Sequence, residues 1–242
     1  MMLMYYNSMD PQILAVRRKQ VLYDEKWRKF LKRSWPFRYL PFVEFVLAAG
    51  SMATGNVKPD SDFDVIAAVK KGRIFTARFF AVAFFGVLGW RRRKLSHREA
   101  AADKICLNHF VTEDSYRLTP PYNSYWIELY RNLVPVFGEV SRLRKFWLTN
   151  KDWLGEIRDY RDDLRHRHRE DSFFKKAGQS LLGGSFGNLL EQVLKRIQVS
   201  RIEKSLKSDP PGFKPRIRYS DDELEFHPDT KRIEEFINRP TA

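Results

Sequence analysis

Hydrophobic positions recur at helical spacing from residue 10 to 34, where Ile13, Val16, Val21, Phe30 and Leu31 stand among charges. Pro36 and Pro41 end the pattern, so an amphipathic first helix is expected there. The next run, Phe42 to Ala49, is short, β-branched and aromatic and stops at Gly50, which predicts a buried strand. Ser51 to Pro59 must turn the chain back, and Phe63 to Val69 reads as a second strand with Lys70-Lys71-Gly72 as its exit turn. An apolar helix from Ile74 to Trp90, a polar loop and a third strand from Lys104 to Thr112 follow. Tyr125 to Asn132 reads as helix, and Val134 to Gly138 as a short edge strand, where Pro135 is tolerated.

Past Asn150 the pattern changes. Residues 158–171, RDYRDDLRHRHRED, are a charge-dense run that fits either a solvated helix or a linker. Arg161 and His166 within it have the spacing seen in HEPN-type RNases, but a run so rich in Arg and His produces that spacing cheaply. Residues 181–185 form a loop with Ser185 available as a helix N-cap. From Phe186 to Leu206 a stripe of Leu189, Leu190, Val193, Leu194, Ile197, Ile202 and Leu206 predicts a helix that packs against something. A proline-rich stretch at 208–215 and a last short helix from Thr230 to Ile237 close the chain. The expected organisation is a core with its N-terminal helix at 1–145 and a mainly helical C-terminal region at 146–242.

Composition sharpens this picture in three ways. A 43% hydrophobic and 14% aromatic share exceeds what a disordered chain carries, despite 31% charged residues. The net charge of +14 is uneven: residues 1–118 hold 21 Lys/Arg against 11 Asp/Glu, and residues 119–242 hold 23 against 19. A basic surface attracts polyanions such as triphosphates and RNA, although a solvated basic face explains it equally. The single cysteine, Cys106, forms no internal disulfide, and the N-terminus lacks the basic and apolar regions of a signal peptide, so a cytoplasmic protein is expected. Phe79 to Trp90 is apolar and is followed by Arg91-Arg92-Arg93-Lys94, but Arg78 and Arg91 leave only 12 residues between them. That is short of the roughly 20 a spanning helix needs, so a buried helix with a basic C-terminal turn is expected, and an integral membrane protein is not. Peripheral membrane contact would require this face to be exposed.

The chemistry concentrates at Gly50-Ser51 and, ten residues on, Asp62-Phe63-Asp64. Two aspartates two apart on a strand point to one face, and two carboxylates suffice to seat magnesium, which keeps waters and substrate phosphates in its shell. Gly50 permits close backbone approach, and Ser51 offers a hydroxyl and an N–H for phosphate oxygens. Pro59-Asp60-Ser61-Asp62 is also good turn chemistry, but a turn leaves Gly50-Ser51 at that distance, and the flanking strands, unexplained.

The block GSMATGNVKPDSDFDVIAAV, residues 50–69, resembles the Gly-Ser, ten residues, Asp-x-Asp pattern of the nucleotidyltransferase superfamily, with Gly55 and Ser61 also in place. The resemblance covers residues 40 to about 140. Asp103 to Asn108 and Phe226-His227-Pro228 are similar to blocks in a branch of small bacterial nucleotidyltransferase-like proteins from which no activity carries over.

The resemblance implies an α/β (α+β) fold with a mixed central sheet flanked by helices. It also implies transfer of a nucleoside monophosphate from a nucleoside triphosphate, ATP for example, to an acceptor. Asp62 and Asp64 would hold Mg2+ or Mn2+ and act in catalysis, and Gly50 and Ser51 would bind the nucleotide with them. The family places a third carboxylate on the next core strand, where this chain has Asn108, which ligates weakly and takes no proton. Asp103, Glu113 and Asp114 flank that strand, and His109 is expected to alternate away from Asn108. Two functions follow as expectations: a metal-dependent nucleotidyltransferase acting on a small molecule, RNA or protein, or a nucleotide- or RNA-binding protein that kept the fold without catalysis. Lys58 or Arg78 would reach the triphosphate, and Trp126, Tyr130, Trp147 and Trp153 offer rings for base stacking as well as packing.

Overall fold

Helix α1 (Pro11–Arg33) starts where its sequence supplies a cap: Asp10 Oδ1 accepts from Gln12 N at 2.8 Å, Pro11 occupies the first turn, and Lys32 and Arg33 complement the dipole at its end. This computed structural model describes residues 10–92, 101–155, 165, 172–207 and 216–227. The apolar runs then form β1 (Val43–Ala48), the one-turn helix α2 (Gly50–Thr54), β2 (Phe63–Val69), α3 (Ile74–Val87) and β3 (Ile105–Val111). After them come α4 (Ser124–Arg131), β4 (Val134–Gly138), α5 (Val140–Leu154), α6 (Phe173–Leu181), α7 (Ser185–Lys207), β5 (Arg216–Tyr219) and β6 (Glu223–His227). The chain is mixed α and β, with seven α-helices among the described residues and one open six-stranded sheet in the order β4-β1-β2-β3-β6-β5. Only β2 and β3 pair in parallel.

Helices cover both faces of this sheet, so its central strands are buried on two sides. On one face Trp27 and Phe30 of α1, Phe75 and Phe85 of α3, and Leu194 and Ile202 of α7 pack on Val46, Phe63, Val65 and Phe110. On the other, Trp126 and Tyr130 of α4 and Leu143 and Phe146 of α5 pack on Phe45, Leu47, Ile66 and Val111. Trp126, Tyr130 and Trp147 are thus core residues, and Trp153 stacks on Tyr122 at 4.9 Å. This burial uses these rings for packing rather than as an open base-stacking platform.

The predicted strands and the predicted helices α1, α3, α4 and α7 match their segments within a few residues, whereas α5, α6 and the β5–β6 hairpin had no predicted counterpart. The hairpin matters most, because β6 pairs antiparallel with β3 and so brings residues from beyond 146 into the central sheet. The region expected to be mainly helical therefore completes the sheet as well. The charged run 158–171, apart from Arg165, and the segments 208–215 and 230–237 lie outside the described residues.

Helix α7 docks through polar contacts that its apolar stripe does not reveal. Glu191 accepts from Phe75 N at 2.9 Å and Thr76 N at 2.8 Å, capping the otherwise uncapped N-terminus of α3. Arg73 reaches Leu182 O, Gly183 O and Asn188 Oδ1. The stripe itself divides: Leu194 and Ile202 are buried, while Leu189, Val193 and Ile197 are exposed. Helix α3 is two-faced as well, with Phe75, Ala81 and Phe85 buried but Phe79 and Val87 exposed. It ends at Val87, and Gly89 (φ 68°) turns the chain so that Arg91 bridges to Ile105 instead of extending a basic helical turn. No helix among the described residues is long and apolar enough to cross a membrane.

Candidate functional site

The two aspartates arise where β1 ends and β2 begins. Ala49 N donates to Asp64 O at 2.9 Å, which closes the antiparallel pair and lays Gly50 directly against the Asp64 side chain. A Cβ on Gly50 would stand 2.2 Å from Asp64 Oδ2, and the residue has φ 57°, so both space and backbone require glycine. Ser51 follows, half-buried, in the single turn of α2, which Gly55 (φ 74°) terminates.

Asp62 lies one residue before β2, and its position is set by a clamp on the preceding turn. Ser61 Oγ accepts from Lys58 N at 2.9 Å, and Ser61 N donates to Lys58 O at 3.0 Å. The ammonium of Lys26, buried on α1, donates to Pro59 O at 2.7 Å and Ser61 O at 2.8 Å and pairs with Asp103 Oδ1 at 2.8 Å. Two carbonyls thus accept hydrogen bonds from the ammonium, and Asp103 supplies its counter-charge. Asp103 (φ 62°) also pairs with Lys29 at 2.9 Å, and Arg33 donates to its carbonyl. Asp103 therefore organises the loop from below through cations of α1.

Arg92 is the residue the sequence pattern did not single out. Its backbone N–H donates to Ile105 O at 2.9 Å, alongside β3, and its guanidinium meets Asp62 Oδ2 at 2.6 Å. Burial works against its charge, but the neighbouring groups, Asp62 foremost, outweigh that and raise its pKa. In sequence it is one basic residue among four, with no local signal separating it from its neighbours.

Cys106 and Asn108 come from β3. Asp64 pairs in register with Cys106, and ligand atoms of Asp62, Asp64 and Cys106 all lie within 4.8 Å of one another. Burial first, then Asp64 and Asp62, push the thiol well above its ordinary pKa, so it faces the carboxylates as a neutral group. Asn108 Nδ2 donates to Asp64 Oδ1 at 3.3 Å, so the side chain at the expected third position touches the second aspartate.

The donor set fits a hard divalent cation: two carboxylates converge, one of them on a glycine that leaves no side chain in the way. The two cations considered for the triphosphate are placed differently. Lys58 is exposed in the turn, whereas Arg78 hydrogen-bonds Gln198 at 2.7 Å, lies over Phe226 at 4.9 Å and helps pack α7. Glu113 and Asp114 pair with Lys145 and Lys71 beyond the other end of β3.

His109 is a correction to strict alternation. Between Asp64/Cys106 and Ile66/His109 the register gains one residue on β3, a bulge that turns His109 to the face of Ile66 and Asp64. The ring is buried and 3.2 Å from Glu223 Oε1.

Lys26→Met is expected to cost about 2–4 kcal/mol in urea unfolding, because it leaves Pro59 O, Ser61 O and one side of Asp103 without a partner. Burial alone would raise the Asp103 carboxyl, but Lys26 and Lys29 outweigh it and hold it below the ordinary range. A carboxylate so lowered adds stability that is present above its unfolded pKa of about 3.9 and is lost as pH falls through its folded value. The acid-side loss of stability is therefore smaller in Lys26→Met than in the parent.

No protein-family model, no curated protein and no solved structure matches this chain.

Proposed function

We propose that the protein is a metal-dependent nucleotidyltransferase that moves a nucleoside monophosphate from a nucleoside triphosphate to an acceptor hydroxyl or amine on a small molecule, RNA or protein. The observation that carries this reading is the convergence of Asp62 and Asp64 beside Gly50, where a methyl group would collide with a carboxylate oxygen. Asp62 and Asp64 would hold Mg2+ or Mn2+, which when bound supplies charge neutralisation on the phosphates and activation of the attacking group. Gly50 and Ser51 approach the phosphates by backbone and hydroxyl. Arg92 orients Asp62, and Asn108 orients Asp64 by its hydrogen bond. The excess positive charge of the first half of the chain favours triphosphate and RNA encounter.

A second reading is nucleotide or RNA binding without turnover. It is favoured by Asn108, which spends its amide on Asp64 and has no proton-accepting group to offer an acceptor.

Calorimetric titration with ATP in the presence of magnesium or EDTA, followed by incubation with labelled triphosphates and small-molecule, RNA and protein fractions, separates the readings. Magnesium-dependent binding with labelled product and pyrophosphate is the expected result. Magnesium-dependent binding with no transfer supports the second reading. No magnesium-dependent binding removes both.

A further inference from the structure

The β5–β6 hairpin creates a second cluster of metal-ligating side chains that the carboxylate site does not use. His109 on β3 and Glu225 on β6 are directly opposed across the antiparallel pair, and His227, two residues on, points to the same face. One ligand atom from each of His109, Glu225 and His227 lies within 4.8 Å of the other two. A four-coordinate zinc with ligands at about 2.0–2.2 Å holds them about 3.3–3.5 Å apart, so small side-chain rotations close the site.

Three observations point to a ligand here. Glu225 is fully buried, yet its Oε2 has no hydrogen-bond partner among the described residues, an arrangement that costs on the order of 1–3 kcal/mol unless something satisfies it. Arg216 pairs with Glu225 at 2.8 Å and Arg218 with Glu223 at 2.8 Å, while His227 Nε2 lies 3.1 Å from Glu225 Oε1, so an imidazole and a carboxylate already stand at the spacing of two ligands on one ion. His109 also has the outer partner that metal-bound imidazoles use: its Nε2 faces Glu223 Oε1 at 3.2 Å. Trp126, 5.2 Å from His227, walls the cluster with an apolar ring.

We propose that His109, Glu225 and His227 form a site for a zinc-class divalent cation that fastens the C-terminal hairpin to the central sheet. Two imidazoles and one carboxylate suit zinc, cobalt or nickel and are poor ligands for magnesium. Three protein ligands leave a coordination position for water or another small donor. The site is separate from Asp62 and Asp64 and does not depend on their role.

The full-length protein, stripped with EDTA, is dialysed against zinc, and metal per chain is counted by mass spectrometry in four forms. The parent and Asp62→Asn/Asp64→Asn are expected to retain one zinc against excess magnesium. His227→Ala, at the more exposed ligand, and Glu225→Gln are expected to lose affinity by more than about a hundredfold. X-ray absorption on the zinc-loaded parent guards against a folding defect in the variants, since it is expected to show two imidazoles and no sulfur. Absence of stoichiometric zinc in the parent, parent-like binding by both ligand variants, or a sulfur ligand placing the ion at Cys106 would each overturn the assignment.

Discussion

Replacing Asp62 and Asp64 together with asparagine is expected to weaken magnesium-ATP binding by more than about a hundredfold, equivalent to about 2.7 kcal/mol, while leaving the protein at least as stable. The reasoning separates function from folding. Ligand atoms of the two carboxylates lie within 4.8 Å, and like charges at that distance repel by on the order of 3 kcal/mol at an intermediate dielectric. Arg92 offsets part of this through Asp62. Asparagine preserves an acceptor for Arg92 and removes the repulsion, so thermal stability holds or rises, as is common where an active site stores unfavourable charge. Metal affinity collapses in the same variant, because amide oxygens carry no net charge. Calorimetry with magnesium and ATP, paired with thermal melts, measures both sides; unchanged affinity in the double variant would sink the metal site.

Gly50→Ala tests the same site with a change that touches no ligand. The new Cβ would stand 2.2 Å from Asp64 Oδ2 and 3.0 Å from Asp64 Cγ, so the carboxylate has to swing away. Because Asn108 holds the other oxygen at 3.3 Å, that movement also breaks a hydrogen bond between β3 and the site carboxylates. A non-glycine residue at φ 57° costs a further 1–2 kcal/mol or so. The expected result is loss of magnesium-dependent ATP binding close to that of the double aspartate variant, with a fall in melting temperature that the double variant does not show. Gly55→Ala is the control: it too has positive φ, but a Cβ there meets nothing within 4 Å, so it pays the backbone cost and keeps binding. If both glycine variants bind normally, the close approach of Gly50 to Asp64 has no functional consequence.

These tests also bear on the acid missing from β3. Asn108 meets Asp64 in the structure, so the third position is occupied by a group that can orient but cannot ionise. The two carboxylates nearest to it in sequence are committed elsewhere, Asp103 to Lys26 and Lys29 and Glu113 to Lys145. Turnover, if present, therefore relies on another base, a solvent hydroxide or the acceptor's own group, and the labelled-triphosphate assay reads that directly.

Elements whose signal is local were legible in the residues themselves. Phe42 to Ala49 and Phe63 to Val69 are short apolar runs bounded by glycine, proline and lysine, and β1 and β2 fall inside them. The proximity of Gly50-Ser51 to Asp62 and Asp64 was likewise readable, since a strand, a turn and a returning strand bring their ends together. The amphipathic spacing of residues 10 to 34 marked α1 but not its chemistry. Lys26 looked like one more polar residue on a helix, and only the arrival of Pro59, Ser61 and Asp103 makes it a buried clamp.

What tertiary structure alone decided were the pairings between distant segments. The β5–β6 sequences RIRY and ELEFH are short and charged and carry little strand signal, because the burial of Glu225 depends on partners from other strands, Arg216 and His109, as well as on His227. The bulge on β3 reverses the face of His109, a one-residue shift of register invisible to alternation. Arg92 gains its role from lying beside Ile105 and within reach of Asp62. Periodicity records which face of an element is apolar, and so the sequence by itself determined the main elements and the carboxylate motif. Register, bulges and long-range ion pairs depend on which elements meet, and those decided the clamp beneath the motif, the arginine beside it and the histidine cluster next to it.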